Sequence, residues 1–428
     1  MVLCLNILII MNYFNLLELV KDQKSYFEFF LKNNKNIARD IDFKKYIDSK
    51  EIIVITGSRR SGKSYLLLQF KEKLNSGAYI NFEDDRFLNF KEEDFDNLLK
   101  AIYEVYGEDT NVFFFDEIQN IKSWEMFVRR LYNYKYKVFV TGSNANLLSS
   151  ELGTKLTGRH LDLTLLPFSF IEYLGYYNIE YNKNYNLKEK SKILRFFDKF
   201  LLDGSYPQFL EENNTEIIRH IYTDAIYKDL QPRYSIENIN DLKETLLYLS
   251  SSLASPISYN NISKALKIKS HNTVKKYIQS LESVYLIFLI NKYSESNINL
   301  LKSYKKVYFI DNGLRNILTF QRYQNKGQLL ENLVFLELVR TGKEIMYFNN
   351  NNSECDFIIK SKSFDAIQVC FDFNEKNKER EINGLLSAMN FFKLTTGYIL
   401  TYDQEDELKI DNKTIKIKPV WKWLLEKH

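Results

Sequence analysis

Cysteine and histidine are scarce in this chain of 428 residues, and their scarcity excludes several kinds of site. The three cysteines, Cys4, Cys355 and Cys370, form no CxxC pair. A disulfide framework or a cysteine-bound zinc ion is therefore not expected, and such usage is typical of a reducing compartment. Four histidines leave little room for histidine-based catalysis.

Long apolar runs are also missing. The first ten residues, MVLCLNILII, are apolar, but they lack the basic n-region and the small-residue cleavage site of a signal peptide. No run reaches the roughly 18 apolar residues that a membrane helix needs. We therefore expect a cytoplasmic protein with no membrane partner.

Length and charge set wider limits. A chain of 428 residues is too long for one core of ordinary size, so two or three domains are expected. The net charge is only +4, from 59 basic and 55 acidic residues. This mild excess permits contact with nucleic acid, but a solvated and slightly basic surface explains it equally well.

Residues 51–150 show the pattern of an α/β domain. Short apolar runs alternate with helical stretches, and these runs are IIVIT (52–56), AYINF (78–82), VFFFDE (112–117) and VFVTGS (138–143). Strands separated by helices are typical of a parallel sheet built from βαβ units. An amphipathic helix over residues 12–34 is predicted to precede this domain.

The rest of the chain has a different pattern. Residues 190–250 are predicted to be mainly helical, and residues 257–293 fit a helix–turn–helix followed by a strand pair. Beyond residue 305 apolar runs return around a long helix predicted at 328–341, and these runs are KVYFI, EIMYF, DFIIK and AIQVC. The pattern predicts a second α/β unit.

The stretch GSRRSGKS fits the phosphate-binding P-loop pattern G-x-x-x-x-G-K-[ST]. It follows a predicted strand and opens a predicted helix, as the pattern requires. Glycines let successive backbone N–H groups face a phosphate, the lysine reaches the terminal phosphates, and the serine hydroxyl suits Mg²⁺. A chance glycine turn is the alternative. The predicted nucleotide-binding residues are Gly57, Ser58, Arg59, Arg60, Ser61, Gly62, Lys63, Ser64 and Tyr65, with Ser64 also a metal ligand.

A P-loop needs a second strand that ends in an acid, and VFFFDE supplies one. We predict that Asp116 binds Mg²⁺ and that Glu117 polarises the attacking water as general base. A solvated pair of carboxylates at a strand end is the alternative. The following strand leads into Ser143 and Asn144, which suit either contact with the γ-phosphate and water or the cap of a helix.

Several motifs in the same order resemble those of prokaryotic, especially archaeal, AAA-type ATPases. They are GSRRSGKS, YINFEDDRF, FFFDEIQNIKSWE, TGSNANLLSSELGTKLTGRHLDLTLLPFSF and DGSYPQF. The resemblance implies an ATP-hydrolysing core that uses ATP and Mg²⁺ and forms rings or other oligomers. It adds Asn144, as a sensor-like residue, and Arg159, which meets the γ-phosphate in cis or from a neighbouring copy, to the catalytic residues Lys63 and Glu117. A surface ion pair is the alternative for Arg159.

The stretch ISYNNISKALKIKSHNTVKKYIQSLE (257–282) is similar to the winged-helix part of the same ATPases. Its second helix places Val274, Ile278 and Leu281 on one face and polar residues of the kinds that contact DNA phosphates and bases on the other. These candidates for DNA binding are His271, Asn272, Lys275, Lys276 and Gln279. A winged helix that packs against protein is the alternative.

The last α/β unit resembles the restriction-endonuclease-like fold, whose nucleases bind Mg²⁺ through a helix Glu, a strand Asp and a (D/E)xK triplet. The matching residues are Glu331, Asp356 and the triplet that begins at Gln368 and ends at Cys370. Glutamine replaces the acid of the triplet, and cysteine replaces its lysine. We therefore expect a degenerate site that serves in binding or structure, in which Glu331 and Asp356 pair with nearby basic residues.

Together the motifs predict four segments: an N-terminal helical lead-in at 1–36, an AAA-type P-loop domain at 37–185, a helical and winged-helix domain at 186–300 and a nuclease-like α/β domain at 301–428. The predicted function is Mg²⁺-dependent ATP hydrolysis coupled to DNA or to a protein partner. The alternatives are an ATP-regulated, Mg²⁺-dependent DNA nuclease and a slow nucleotide-gated switch that acts on a protein partner.

Overall fold

The computed structural model describes most of the chain, in segments separated by gaps. The described residues are 13–33, 37–143, 156, 158–181, 185–232, 234, 236, 238–296, 303–319, 325–350 and 353–426. They form two compact units. The first contains the described residues up to Leu165 apart from 58–60, and the second contains 58–60 and the described residues from Leu166 onward. Within these segments, no helix is long and apolar enough to cross a membrane.

The first unit is a parallel β-sheet covered by helices. Its strands are β1 (Ile52–Thr56), β2 (Ala78–Asn81), β3 (Val112–Asp116), β4 (Lys137–Gly142) and β5 (His160–Thr164). Its α-helices are α1 (Tyr13–Asn33), α2 (Phe43–Asp48), α3 (Lys63–Leu74), α4 (Phe95–Tyr106) and α5 (Trp124–Asn133). The strand order is β2-β3-β4-β1-β5, and neighbouring strands are parallel. The predicted parallel α/β domain and the predicted N-terminal helix are both confirmed.

Both faces of this sheet are covered, which explains its apolar strands. Every residue of β1 and β3 is buried. Val54 and Phe115 pack in an apolar cluster with side chains of α1, α4 and α5, whereas Ile55 and Phe114 pack in a second cluster with α3. Successive side chains point to opposite faces of a strand, so a strand that is buried on both faces has an unbroken apolar sequence.

The second unit contains a helical region and a large mixed sheet. Its α-helices are α6 (Phe170–Tyr176), α7 (Leu187–Asp203), α8 (Pro207–Glu212), α9 (Thr215–Asp224), α10 (Ile239–Ser251), α11 (Tyr259–Ala265), α12 (His271–Ser283), α13 (Asn312–Leu318), α14 (Lys326–Arg340), α15 (Lys378–Phe391) and α16 (Val420–Leu424). Its strands are β6 (Pro256–Ile257), β7 (Ile287–Lys292), β8 (Lys305–Phe309), β9 (Glu344–Asn350), β10 (Ser353–Lys360), β11 (Phe364–Val369), β12 (Thr396–Thr401), β13 (Asp406–Ile410) and β14 (Lys413–Pro419). The four apolar runs predicted beyond residue 305 are strands β8 to β11.

One sheet crosses the predicted boundary between residues 300 and 301. Its strand order is β13-β14-β12-β11-β10-β9-β7-β8-β6, and β7 is antiparallel to β8 and parallel to β9. The segments predicted at 186–300 and 301–428 therefore belong to one compact unit, whose main segment begins at Leu166 rather than at residue 186. Sequence periodicity identifies strands but not the strands they pair with. Because β7 pairs with β8 and β9, which both follow residue 300, no domain boundary lies at that point.

Helices α11 and α12 follow each other closely, as the predicted helix–turn–helix requires. The Ser258 side chain caps α11 by accepting from the N–H of Asn261, and the Ser270 side chain caps α12 by accepting from the N–H of Asn272. Strand β6 precedes the two helices, and strand β7 follows them. The antiparallel partner of β7 is β8, which begins at Lys305, so the predicted pair within residues 257–293 is only half present.

Candidate active site

The loop after β1 depends on two glycines. Gly57 has φ 146°, and a Cβ atom on it would lie 2.1 Å from the carbonyl oxygen of Leu165. Gly62 has φ 96° and precedes the first residue of α3. Only glycine adopts such conformations without strain and allows such close approach, so these positions fix the curve of the loop. The N-terminus of α3, which favours anions, directly follows this curve.

Lys63 and Ser64 begin α3 and connect the loop to β3. The Lys63 side chain is 5% exposed, and its Nζ donates to the carbonyl oxygen of Gly57 at 3.3 Å. The same nitrogen lies 3.5 Å from Oε1 of Glu117. The Ser64 hydroxyl lies near enough to the carboxylate of Asp116 to lower its pKa. Residues that are far apart in the sequence therefore meet at the carboxyl edge of the parallel sheet.

Asp116 is buried among hydroxyl groups. The Tyr79 hydroxyl donates to Oδ2 of Asp116 at 2.7 Å, and the Thr141 hydroxyl donates to Oδ1. Burial, followed by the charge of Glu117, raises the pKa of Asp116, whereas hydrogen bonds from Ser64, Thr141 and Tyr79 oppose this rise. Hydroxyl and carboxylate oxygens are ligands that Mg²⁺ prefers, so Ser64 and Asp116 fit this ion chemically.

Glu117 leaves β3 in the left-handed conformation, with φ 49° and ψ 41°. Its N–H donates to Oγ1 of Thr141 at 2.9 Å, and its carboxylate accepts a hydrogen bond from the Gln119 side chain. Thr141 therefore positions both acids, because its hydroxyl also donates to Asp116. Sequence reasoning missed Thr141 and Tyr79. The available signal was a polar side chain within each of two otherwise apolar runs.

The tip of the loop packs with residues that lie much later in the chain. Within the second unit, Arg59 forms a two-pronged ion pair with Asp229, with Nε–Oδ2 at 2.6 Å and Nη2–Oδ1 at 3.0 Å. The Tyr206 hydroxyl donates to Oγ of Ser58 at 3.0 Å. Asp229 and Tyr206 are both buried. Such bidentate, charge-assisted contacts are among the strong ones, and the sequence did not predict either partner.

Arg60 is paired in a similar way. Its Nη2 lies 3.3 Å from Oδ2 of Asp224, the last residue of α9. Asp229 lies in the π-helical segment Ala225–Leu230, which continues directly from α9. Short π-helical segments are rare in proteins and are frequent at functional sites. The sequence left open whether Arg59 and Arg60 serve phosphates or structure, and in the structure both pair with aspartates.

Three predicted residues lie away from this arrangement or outside the described residues. The carbonyl oxygen of Arg159 accepts from the N–H of Ile52 at 2.9 Å, at the start of β1. The P-loop follows the other end of β1, roughly 16 Å away for a five-residue strand, so the predicted contact of Arg159 in cis is wrong. Its approach from a neighbouring copy stays a prediction. The Tyr65 ring packs against Phe30 with centroids 4.9 Å apart. Asn144 lies outside the described residues.

The candidates for DNA binding share one face of α12. The helix buries Val274, Ile278 and Leu281, as predicted. The exposed residues are His271, Asn272, Lys275, Lys276 and Gln279. Their predicted exposure is confirmed, and their contact with DNA stays a prediction.

The nuclease-like candidates form an acidic cluster around a lysine that sequence reasoning missed. Lys306 Nζ lies 2.8 Å from Glu354, 2.9 Å from Asp356 and 3.3 Å from Glu331. Burial and the charge of Asp356 raise the pKa of Glu331, and Lys306 opposes this rise. Gln368 accepts from the N–H of Asp356 at 3.1 Å. The expected pairing of Glu331 and Asp356 with a basic residue is confirmed.

Known proteins resemble this chain over nearly its whole length. The protein MJ1544 of Methanocaldococcus jannaschii is 37% identical over 431 residues, which cover 94% of this chain and 96% of that protein. A protein of Haemophilus influenzae is 30% identical over 399 residues, which cover 89% of this chain and 96% of that protein. The chain belongs to the family of these two proteins. Neither of their names assigns an activity.

Two domain families match separate parts of this chain. Residues 49–174 match the AAA domain family AAA_14, and residues 194–325 match a domain of unknown function, DUF8612. The first match contains the P-loop, Asp116 and Thr141, so the first unit is a nucleotide-binding P-loop domain of the AAA ATPase type.

Two solved structures resemble the chain only distantly. AMPPCP-bound DnaA from Aquifex aeolicus is 16% identical, covering 62% of this chain and 88% of its own, with a TM-score of 0.24. Cdc6p from Pyrobaculum aerophilum is 12% identical, covering 74% of this chain and 95% of its own, also with a TM-score of 0.24. At these TM-scores the likeness carries no argument about function.

Proposed function

We propose that the first unit hydrolyses ATP in the presence of Mg²⁺. The observation that carries this proposal is the 3.5 Å separation between Nζ of Lys63 and Oε1 of Glu117, because it joins the phosphate-binding loop to the strand that ends in acids. Ser64 and Asp116 would hold Mg²⁺, which neutralises phosphate charge when bound. Lys63 binds the terminal phosphates, and the amide groups of the curved loop orient them.

Glu117 is the proposed general base of this reaction. Its carboxylate leaves β3 beside Lys63, with 3.5 Å between the nearest charged atoms. It accepts a proton from a water molecule, whose oxygen attacks the γ-phosphorus while the bond to the bridging oxygen breaks and ADP leaves. Asn144, and Arg159 of a neighbouring copy, complete the proposed catalytic set.

Phosphate release by the purified chain tests this proposal. Lys63→Ala should abolish nucleotide binding, whereas Glu117→Gln should keep it and lower turnover by about 10²–10⁴-fold, the usual contribution of a general base. Lys73→Ala, an exposed lysine of the same helix, is the matched control and should change neither quantity. Equal turnover in Glu117→Gln and the unchanged chain would remove the base assignment. Absence of ATP uptake in calorimetry would remove the site itself.

We propose further that nucleotide state influences the ion pair between Arg59 and Asp229. Residues 58–60 lie within the P-loop sequence. A phosphate group near Arg59 competes with Asp229 for one guanidinium, so nucleotide binding and this ion pair influence each other.

A double-mutant cycle with Arg59→Gln and Asp229→Asn measures this coupling as ATP affinity. The two changes should be non-additive, because each removes the same interaction. Asp198→Asn, a carboxylate of α7 that accepts from Tyr402, is the control and should be additive with Arg59→Gln. Additive effects for Asp229→Asn as well would contradict the coupling.

The helix–turn–helix of the second unit is the proposed contact with DNA. The order α10, β6, α11, α12, β7 and β8 supports a winged helix, and the exposed lysines of α12 support binding to phosphates. Lys275→Gln and Lys276→Gln should each weaken duplex binding in fluorescence anisotropy and reduce the salt slope by about 1. Lys409→Gln, on exposed β13, is the control. Unchanged slopes for α12 would favour its use in protein packing.

A further inference from the structure

The acidic cluster of the second unit contains an ammonium group where the nuclease-like resemblance implies a metal ion. Lys306 is 1% exposed, and its Nζ lies within 3.3 Å of oxygens from Glu331, Glu354 and Asp356. A lysine ammonium has three N–H donors, and Lys306 donates to Glu331 and Asp356 while Glu354 lies within ion-pair distance. Strand β8 supplies this lysine, whereas the missing lysine of the triplet corresponds to Cys370, directly after β11.

Carboxylate and amide groups of the cluster also make hydrogen bonds to other residues. Oδ2 of Asp356 accepts from the N–H of Val369 at 3.0 Å, and Oε1 of Glu331 accepts from the Tyr308 hydroxyl at 2.7 Å. Gln368 accepts from the N–H of Asp356 through its oxygen and donates to a carboxylate through its nitrogen. The Gln368 side chain therefore links β11 to β10, and its oxygen is occupied by the backbone N–H of Asp356.

Mg²⁺ does not fit this set of residues. The ion needs oxygen ligands at about 2.0–2.1 Å in octahedral geometry, whereas the oxygens of Asp356 and Glu331 surround a buried ammonium. Two cations cannot share these oxygens without strong repulsion, because burial weakens screening by water. Within the segments that the structure describes, no group of three or more His, Cys, Asp or Glu side chains is placed to hold a metal ion.

We infer that Lys306 is the resident cation of this cluster and that it excludes divalent metal ions from the nuclease-like site. Once the ammonium is removed, the same three carboxylates are free to rearrange around a divalent cation. The inference concerns the second unit and stands independently of ATP hydrolysis. It leaves the C-terminal half without the Mg²⁺ chemistry that strand cleavage by this kind of site requires.

Mn²⁺ binding to the full chain, followed by electron paramagnetic resonance without nucleotide, tests the inference. The unchanged chain and Asp356→Asn should take up the same amount of Mn²⁺, because the cluster contributes none. Lys306→Met should bind additional Mn²⁺, and Lys306→Met combined with Asp356→Asn should lose it again. Ser64 and Asp116 are unchanged throughout, so any Mn²⁺ at the P-loop is the same in all four proteins.

Two results would overturn the inference. One is Mn²⁺ uptake by the unchanged chain that Asp356→Asn removes, since the ammonium would then not exclude the ion. The other is a folded Lys306→Met protein with no additional Mn²⁺, since something other than the ammonium would then keep the site closed. Circular dichroism establishes folding, and Lys306→Gln replaces Lys306→Met if the latter does not fold. The comparison with Asp356→Asn decides the first point without any change at Lys306.

Discussion

Thr141→Val is the most informative change to the proposed ATPase site. Valine has nearly the same shape as threonine, so packing within buried β4 should survive. The hydroxyl that is lost donates to Asp116 and accepts from the N–H of Glu117 at 2.9 Å. A single substitution therefore loosens both acids without altering either of them.

The magnitude follows from these two hydrogen bonds. A hydrogen bond to a charged group contributes about 1.5–3 kcal/mol, and an N–H left without its partner costs about 1–3 kcal/mol. We expect the free energy of unfolding to fall by roughly 2–4 kcal/mol, because the two losses partly overlap. If the same hydrogen bond stabilises the transition state, its loss raises the activation free energy by about 1.5–3 kcal/mol. This rise corresponds to a roughly ten- to hundredfold lower turnover.

The pH profile of ATP turnover separates positioning from stability. The hydrogen bond from Thr141 lowers the pKa of Asp116, so its loss raises that pKa further. Asp116 must be ionised to hold Mg²⁺, and turnover is therefore lost as pH falls through this pKa. The acid limb of the Thr141→Val profile should move to higher pH.

Thr401→Val is the matched control. Thr401 is also a buried threonine at the end of a parallel strand, and its hydroxyl donates to the carbonyl oxygen of Gln404 at 2.7 Å and accepts from its N–H at 2.9 Å. It should lose similar stability with no shift of the acid limb. An unshifted limb in Thr141→Val, or an equal shift in Thr401→Val, would refute the proposed role of Thr141.

Three further outcomes follow from the second unit. Burial raises the pKa of Asp311 to about 6 from 3.8. The protonated carboxyl therefore stabilises the fold fully below about pH 4, and this contribution is lost as pH rises through 6. In chemical denaturation, the free energy of unfolding should fall over this pH range by up to about 3 kcal/mol less in Asp311→Asn than in the unchanged chain. Trp421→Ala should lower the free energy of unfolding by about 3–5 kcal/mol, because the indole is 1% exposed. Lys360→Met, which breaks an exposed ion pair with Glu344, should cost under about 1 kcal/mol, and a larger loss would contradict the expectation that water screens this pair.

The sequence predicted the elements of the first unit well because their signals are local. A P-loop pattern between β1 and α3, and an acid after an apolar run, each lie within a few consecutive residues. Asp116 and Ser64 lie close together, and their metal-binding roles stay a prediction. Thr141 was invisible because its importance depends on β4 lying between β1 and β3, and strand order is a property of tertiary structure.

The same limit explains the errors. Arg159 follows a glycine in a loop, and only the direction of β5 shows that it lies beside the start of β1. The pairing of Arg59 with Asp229 depends on a fold that brings residues far apart in sequence together. Lys306 lies on β8, whereas the triplet begins at Gln368 on β11. No search for the triplet pattern could therefore find this lysine.

Strand β7 connects helices α11 and α12 to the part of the chain beyond residue 300. Its hydrogen-bonding edges are covered on one side by β8 and on the other by β9, both of which follow residue 300. A shortened chain that stops there would present bare backbone on two flanks of an apolar strand, which is a template for aggregation. The strands beyond residue 300 therefore protect both edges of the strand that directly follows α12, whatever chemistry that part of the chain performs.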